Sequence, residues 1–211
     1  MPVAQYSDFE WRTPAACNGR SGEALSNLFI NIIKSTRGLK TICDLGCGNG
    51  YMSGQLASLG YEVTGIDASE TGVDLAKSAY ARAIFIKELI DGGLGSRAKL
   101  ANFDAVISSD VIEHLYRPAD LIEAASSLLS RGGHLIIGTP YHGYLKNLAL
   151  GVTGRMDSHF SVLHDGGHIK FFSVPTLSQL MRKHGFEDLR FTFYGRAMWL
   201  WKNMICHARK R

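Results

Sequence analysis

Asp110, Glu113 and His114 lie within one short run, Asp110-Val111-Ile112-Glu113-His114. On a helix, spacings of three and four residues bring all three side chains to one face. Two carboxylates and an imidazole side by side make either a site for a hard metal ion or an acid–base cluster. A fourth group is available downstream from His159, His164 or His168. The bland alternative for such a histidine, set beside aromatic residues, is a hydrogen-bonded loop position.

A second set points to a bound nucleotide. Thr41-Ile42-Cys43-Asp44-Leu45 reads as a short buried strand, and Gly46-Cys47-Gly48-Asn49-Gly50 as a loop with glycine at every second position. A helix follows, with Met52, Leu56 and Leu59 on one face and Gly60 to stop it. Glycine permits positive φ and close approach of a ligand, and a helix start offers free N–H groups. A dinucleotide site needs G-x-G-x-x-G, with a pyrophosphate seated on the helix N-terminus. Here the third glycine comes one residue early, and Asp44 lies near the place of that anion. Asp67 ends the next strand, where a carboxylate can accept both ribose hydroxyls. Its alternative is a plain helix cap, as that of the glycines is a structural turn.

The rest of the chain supplies elements to position these groups. Strands near 41–45, 62–66, 83–86, 104–108 and 133–138 alternate with amphipathic helices, which predicts an α/β doubly wound sheet. A leading helix covers 22–33. Ser69 caps a helix carrying Val73, Ala76 and Ala79. Another starts at Pro118, buries Leu121, Ala125 and Leu128, and ends at Gly132-Gly133. A last helix runs from Thr176 through Leu177, Leu180 and Met181 to Gly185. Stretches 187–194 and 204–210 read as an antiparallel hairpin. Between the fifth strand and the histidines lies an insertion, 141–163, amphipathic if helical. It suits a lid over an apolar acceptor, a patch resting on a membrane, or a helix packed on the core. Trp199 and Trp201 either line the same mouth or belong to the core.

Length and composition suit one domain spanning 1–211, with 1–36 as an N-terminal cap and 141–170 as the insertion. The net charge of +4 is mild, and its basic tail reads as a solvated end, so no nucleic-acid partner is expected. Four cysteines without a C-x-x-C pair fit a reducing cytoplasm. The N-terminus lacks a secretory pattern, and no apolar run is long enough to span a bilayer.

The spelling Asp44-Leu45-Gly46-Cys47-Gly48-Asn49-Gly50 resembles motif I of the class I S-adenosylmethionine-dependent methyltransferases. Asp110 to His114 is similar to the E-x-x-E-H segment of ubiquinone-biosynthesis O-methyltransferases, with aspartate in place of the first glutamate. That segment occurs with a metal in small-RNA 2′-O-methyltransferases. The resemblance implies a Rossmann-like, seven-stranded, mostly parallel sheet with a terminal antiparallel hairpin and helices on both faces. It implies S-adenosylmethionine held by Asp44, Gly46, Cys47, Gly48, Gly50, Asp67, Ala68 and Ser109. Arg20 is expected at the donor carboxylate, and the segment with Tyr6, Phe9 and Trp11 over the cofactor. In the resembled enzymes a histidine before an aromatic stretch faces the pocket, which makes His168 the best match and His164 the second. The expected catalytic set is therefore Asp110, Glu113, His114 and His168. A divalent metal is compatible with it, but no residue is assigned to one. The expected reaction is methyl transfer to a hydroxyl of a small, lipophilic acceptor. Transfer to nitrogen, carbon or RNA, and a non-catalytic cofactor-binding partner protein, are the alternatives.

Overall fold

The computed structural model describes residues 10–17, 19–160, 163, 167–195, 198 and 200–211. Strand β1 (Thr41–Leu45) pairs in parallel with β2 (Glu62–Asp67) on one side and β4 (Phe103–Ser109) on the other. Beyond them lie β3 (Ile84–Lys87), parallel to β2, and β5 (Leu129–Pro140), parallel to β4. The chain closes the sheet with β7 (Asn203–Lys210) antiparallel to β5 and β6 (Phe186–Tyr194) antiparallel to β7. The order β3-β2-β1-β4-β5-β7-β6 is the seven-stranded, doubly wound arrangement expected, with the strand order reversing between the parallel neighbours β1 and β4. Ligands in such sheets bind at the carboxyl ends of the strands beside that switch point.

Both faces are covered. On one, Leu25, Phe29 and Ile33 of α1 (Arg20–Ser35) and Met52 and Leu56 of α2 (Tyr51–Ser58) pack on Ile42, Ile107 and Ile136. On the other, Leu121, Ala125 and Leu128 of α5 (Ala119–Leu128) and Leu177 and Met181 of α8 (Val174–Lys183) pack on Cys43, Leu45, Val106 and Leu135. Burial on both faces is why β1 and β4 read as continuous apolar runs rather than alternating ones. No described helix is long and apolar enough to cross a membrane.

The local differences from the sequence reading have physical causes. α5 stops at Leu128, not at Gly132-Gly133, and those glycines lie inside β5. Phe103 pairs with Leu129 but Ala105 with His134, so β5 carries extra residues at this point, and Gly132 absorbs them at φ 77°. Leu59 only caps α2 and is exposed. In α3 (Glu70–Ala79), Val73 and Ala76 make the contact with Phe85, and Ala79 is left outside. α8 begins earlier than Thr176 because Ser173 and Thr176 form a reciprocal capping box. A short helix, α4 (Leu94–Ala98), was not foreseen. Among its described residues the insertion forms α6 (Tyr144–Val152) and α7 (Met156–Phe160).

Candidate active site

The glycine loop is built as its spelling requires. Gly46 and Gly48 sit at φ 80° and 52°, where L side chains are strained, and Gly50 starts α2 from a left-handed conformation. A Cβ at Gly46 would meet Val111, and one at Gly48 would meet the indole of Trp11. The N–H groups of Gly46 and Cys47 donate to Ile66 O at 2.8 and 3.1 Å, which ties the loop to the end of β2. Asp67 stands there. One carboxylate oxygen accepts from the Gly48 N–H at 2.8 Å and the other from the Ser69 N–H at 2.8 Å. Burial pushes its pKa up, and these backbone bonds work against that rise. Ala68 follows it and, with Lys87, Glu88 and Leu89, lines a hollow of about 240 Å³. The Cys47 side chain turns inward onto Gly65 and Phe85, so only its backbone belongs to the loop surface.

Asp44 lies beneath the loop, fully buried, and accepts the Ser53 hydroxyl at 2.6 Å. Desolvation pushes its carboxyl up to about 7, against the lowering effect of that hydrogen bond. Asn49 points the other way. Its amide donates to Thr13 O and Ala15 O, both at 2.7 Å, while the Tyr80 hydroxyl donates to Pro14 O at 2.6 Å. The Trp11 N–H donates to Thr71 Oγ1 at 3.1 Å, and the Trp11 ring rests on Gly48 and Gly72. Residues 11–15 therefore strap down over the loop. Tyr6 and Phe9 lie outside the described residues.

The second cluster forms past β4. Residues 112–114 make one 3₁₀ turn, so Asp110 does not share a helical face with Glu113 and His114. Asp110 itself takes a left-handed conformation at φ 54°. Glu113, His114 and His168 do converge, with one ligand-type atom of each within 4.8 Å of the others. The His114 and His168 rings meet edge to face, with centroids 4.9 Å apart. Backbone places His168 there: the N–H groups of Ile169 and Lys170 both donate to Glu113 O at 2.9 Å. Glu113 is fully buried; Oε2 accepts the Thr139 hydroxyl at 2.9 Å, and Oε1 has no hydrogen bond. Burial first, then the neighbouring Asp110, pushes its pKa up. A buried acceptor left unpaired costs about 1–3 kcal/mol and asks for a missing partner.

Other residues join from far along the chain. Burial pushes Asp110 up to about 6, and the Lys202 ammonium opposes that rise. Lys202 donates to Ser21 Oγ at 2.9 Å, which brings the start of α1 to this corner. Arg20 stands exposed beside Ser21, and Ser109 at the end of β4 faces Gly138. His142, just past β5, is buried among Phe171, Phe160 and His159. Sequence reading passed over Lys202, Asn49 and His142; only the position of His142 at the end of a strand could have flagged it. Trp201 stacks on Phe193 with centroids 4.2 Å apart and meets Tyr141, so it belongs to the core. His164 and Trp199 lie outside the described residues.

Residues 20–190 match the model of a methyltransferase domain. The chain belongs to this methyltransferase family. Its relatives include the ubiquinone biosynthesis O-methyltransferase of Ralstonia nicotianae, 31% identical over 170 residues, 77% of this chain and 70% of that one. The enzyme of the same name from Caulobacter vibrioides is 34% identical over 122 residues, 54% of this chain and 46% of its own length. The chain thus spans about half the length of one such relative and 70% of the other. Among solved structures, the magnesium protoporphyrin IX methyltransferase of Synechocystis with bound SAH superposes at a TM-score of 0.69, with 22% identity. That match covers 90% of this methyltransferase chain and 83% of the other. A SAM-dependent methyltransferase from Archaeoglobus fulgidus also reaches 0.69, at 18% identity, covering 89% and 94%.

Proposed function

We propose that this protein is an S-adenosylmethionine-dependent O-methyltransferase acting on a hydroxyl of a small lipophilic acceptor. The observation that carries the reading is Glu113, His114 and His168, gathered around an unpaired buried carboxylate oxygen on the same sheet edge as the glycine loop. A pure binding module has no use for such a trio. The relatives' name supports oxygen as the acceptor atom. Four free thiols, at Cys17, Cys43, Cys47 and Cys206, suit a cytoplasmic setting.

The donor's sulfonium supplies the methyl group together with its own leaving group, so the protein contributes alignment, desolvation and proton removal. Asp67 accepts the ribose hydroxyls, beside the hollow at Ala68. The loop N–H groups and Ser109 line the methionine end, with Arg20 near its carboxylate. His168 or His114 takes the proton from the acceptor hydroxyl as it attacks. The donor set of two imidazoles and a carboxylate also fits a divalent cation, and the unpaired Glu113 Oε1 is the position such an ion would fill. A cation held there would lower the hydroxyl's pKa.

Titration calorimetry with S-adenosylhomocysteine tests the cofactor. Micromolar binding is expected, weakened about tenfold or more in Asp67→Ala, with NAD inert as control. Absence of binding, or a preference for NAD, overturns the reading.

The acceptor's lipophilicity rests on α6. Tyr144, Leu145, Leu148 and Val152 form one exposed face of that helix, between 48% and 79% accessible. Such a face suits a lid that also rests on a membrane surface. The protein should float with phosphatidylglycerol-containing vesicles, and Leu145→Glu/Leu148→Glu should abolish this. Equal flotation of both proteins rules the contact out.

A further inference from the structure

The His142 ring is buried and unsatisfied. It is 5% exposed, and neither of its nitrogens makes a hydrogen bond. The Asn147 amide stands near enough to influence its titration without completing one. Its other neighbours are aromatic rings. Phe171 meets it edge to face with centroids 5.0 Å apart, Phe160 stacks at 5.9 Å, and His159 lies tilted at 5.5 Å. Burial above all, then Lys146 and His159, pushes its pKa down to about 4, so the ring is uncharged at neutral pH. An uncharged imidazole carries one donor and one acceptor, and leaving both unmade in the interior costs stability. An apolar residue of similar size would avoid that cost, so the nitrogens ask for a partner.

The position of His142 points to what that partner is. It follows β5 directly, on the carboxyl edge of the sheet where the glycine loop and Glu113 also lie. Its own N–H donates to Phe172 O at 2.9 Å, while those of Ile169 and Lys170 donate to Glu113 O. The stretch from His168 to Phe172 is thus tied to the Glu113 turn at one end and to His142 at the other. Fully extended, that stretch spans at most about 14 Å, and His142 is near enough to His168 to feel its charge. An acceptor of ordinary ring size held at His168 can therefore place another atom at His142.

We propose that His142 is an acceptor-binding residue, one of whose ring nitrogens hydrogen-bonds a second, non-reacting oxygen of the acceptor, a neutral hydroxyl or carbonyl. The imidazole donates to a carbonyl and either donates to or accepts from a hydroxyl. The walls at Phe160 and Phe171 suit an acceptor that is itself an aromatic ring. The ring is covered from one side by α7, none of whose own residues is buried. That helix is the cover that lifts as the acceptor enters, because moving it does not open the core. The inference rests on the reading of this edge as an acceptor pocket and deepens it, since it names a residue that reads the acceptor away from the reacting atom.

Equilibrium binding to the protein saturated with S-adenosylhomocysteine tests it without requiring turnover. The probes are 4-methylphenol, with one hydroxyl, and 4-methylcatechol, 5-methylresorcinol and methylhydroquinone, which hold a second at increasing separation. At least one diol should bind about tenfold or more tightly than the phenol. His142→Leu should shrink that ratio to about twofold or less, and His142→Gln, which keeps a donor and an acceptor, should restore part of it. In the ligand-free protein, His142→Leu should unfold at the same temperature as wild type or higher, because it removes an unsatisfied group and no bond of the fold. A lower melting temperature would assign the ring to the structure instead and overturn the proposal. Equal binding of diols and phenol overturns it too, as does a diol preference that survives in His142→Leu. If S-adenosylhomocysteine binds and none of the four probes does, the role of His142 falls while the cofactor reading stands. A diol preference that depends on His142 without any methyl transfer would preserve that role and count against the catalytic reading.

Discussion

His168→Ala and His114→Ala are each expected to lower kcat by about 10³-fold or more, with S-adenosylhomocysteine affinity within about twofold of wild type. The separation follows from how the site is held. His168 is positioned by main-chain bonds from Ile169 and Lys170 to Glu113 O, which do not depend on its side chain. The donor loop is tied instead to β2 through Ile66 and Asp67. Removing an imidazole therefore deletes chemistry and leaves the donor site intact. Glu113→Gln divides the two versions of that chemistry. It keeps the volume and an acceptor for the Thr139 hydroxyl but removes the charge aimed at the unpaired position. If a divalent cation sits there, the variant loses as much activity as the histidine changes do, and a chelator silences the wild type. If the histidines act alone as bases, chelation has no effect and the variant stays within about tenfold. Stopped turnover assays with quinol and catechol acceptors, run with and without chelator, provide the measurement. Survival of turnover in both histidine variants overturns the assignment.

The donor half of this site was legible because it is local. Strand, glycine loop and helix follow one another directly, and the positive φ values of Gly46 and Gly48 could be expected from residue type alone. Asp67 was legible for the same reason, as the acidic end of the next strand. The acceptor half depends on distant contacts and on direction. Spacing placed Asp110, Glu113 and His114 together, but a left-handed Asp110 followed by a single 3₁₀ turn separates the first from the others. His168 reaches the cluster through backbone bonds that no side-chain pattern encodes. Lys202 enters from the final hairpin, and its effect on Asp110 exists only because β7 lies next to β5. In α6, periodicity identified an apolar face but carried no information on which way it would point. Core packing would have turned it inward; instead Tyr144, Leu145, Leu148 and Val152 are exposed, and Lys146 and Leu150 are the buried residues. Asn49 read as a loop residue, whereas its amide is what fastens residues 13 and 15 over the loop.

Asp44→Asn should change the pH dependence of stability more than any other single substitution in the donor site. Its carboxyl titrates near 7 in the folded protein, against an ordinary 3.8, chiefly because it is desolvated. Between those two values the folded state binds more proton than the unfolded state, so Asp44 makes stability fall as pH rises. Its favourable share is complete below about 4 and lost by about 7. At about 1.4 kcal/mol per unit the full swing is on the order of 4 kcal/mol, an upper bound for a buried carboxyl. His142 and His207 work in the other direction. Burial pushes both down to about 4, so they make stability rise with pH until their ordinary value of 6.5 is passed. Between about 4 and 6.5 the aspartate therefore offsets the rise from about one of the two histidines, and from about 6.5 to 7 it acts against neither. Denaturant unfolding of the two proteins from pH 4 to 8 isolates the aspartate, because the histidines cancel in the difference. Asp44→Asn should gain on wild type from about pH 4 to about 7 and hold that gain to pH 8, and a difference constant over the whole range would mean that burial does not govern this carboxyl. Folding leaves Asp44 reluctant to ionise, and a cationic donor bound on the loop above it would favour the ionised form. Saturating S-adenosylmethionine should therefore stabilise wild type more at pH 8 than at pH 5, and Asp44→Asn equally at both.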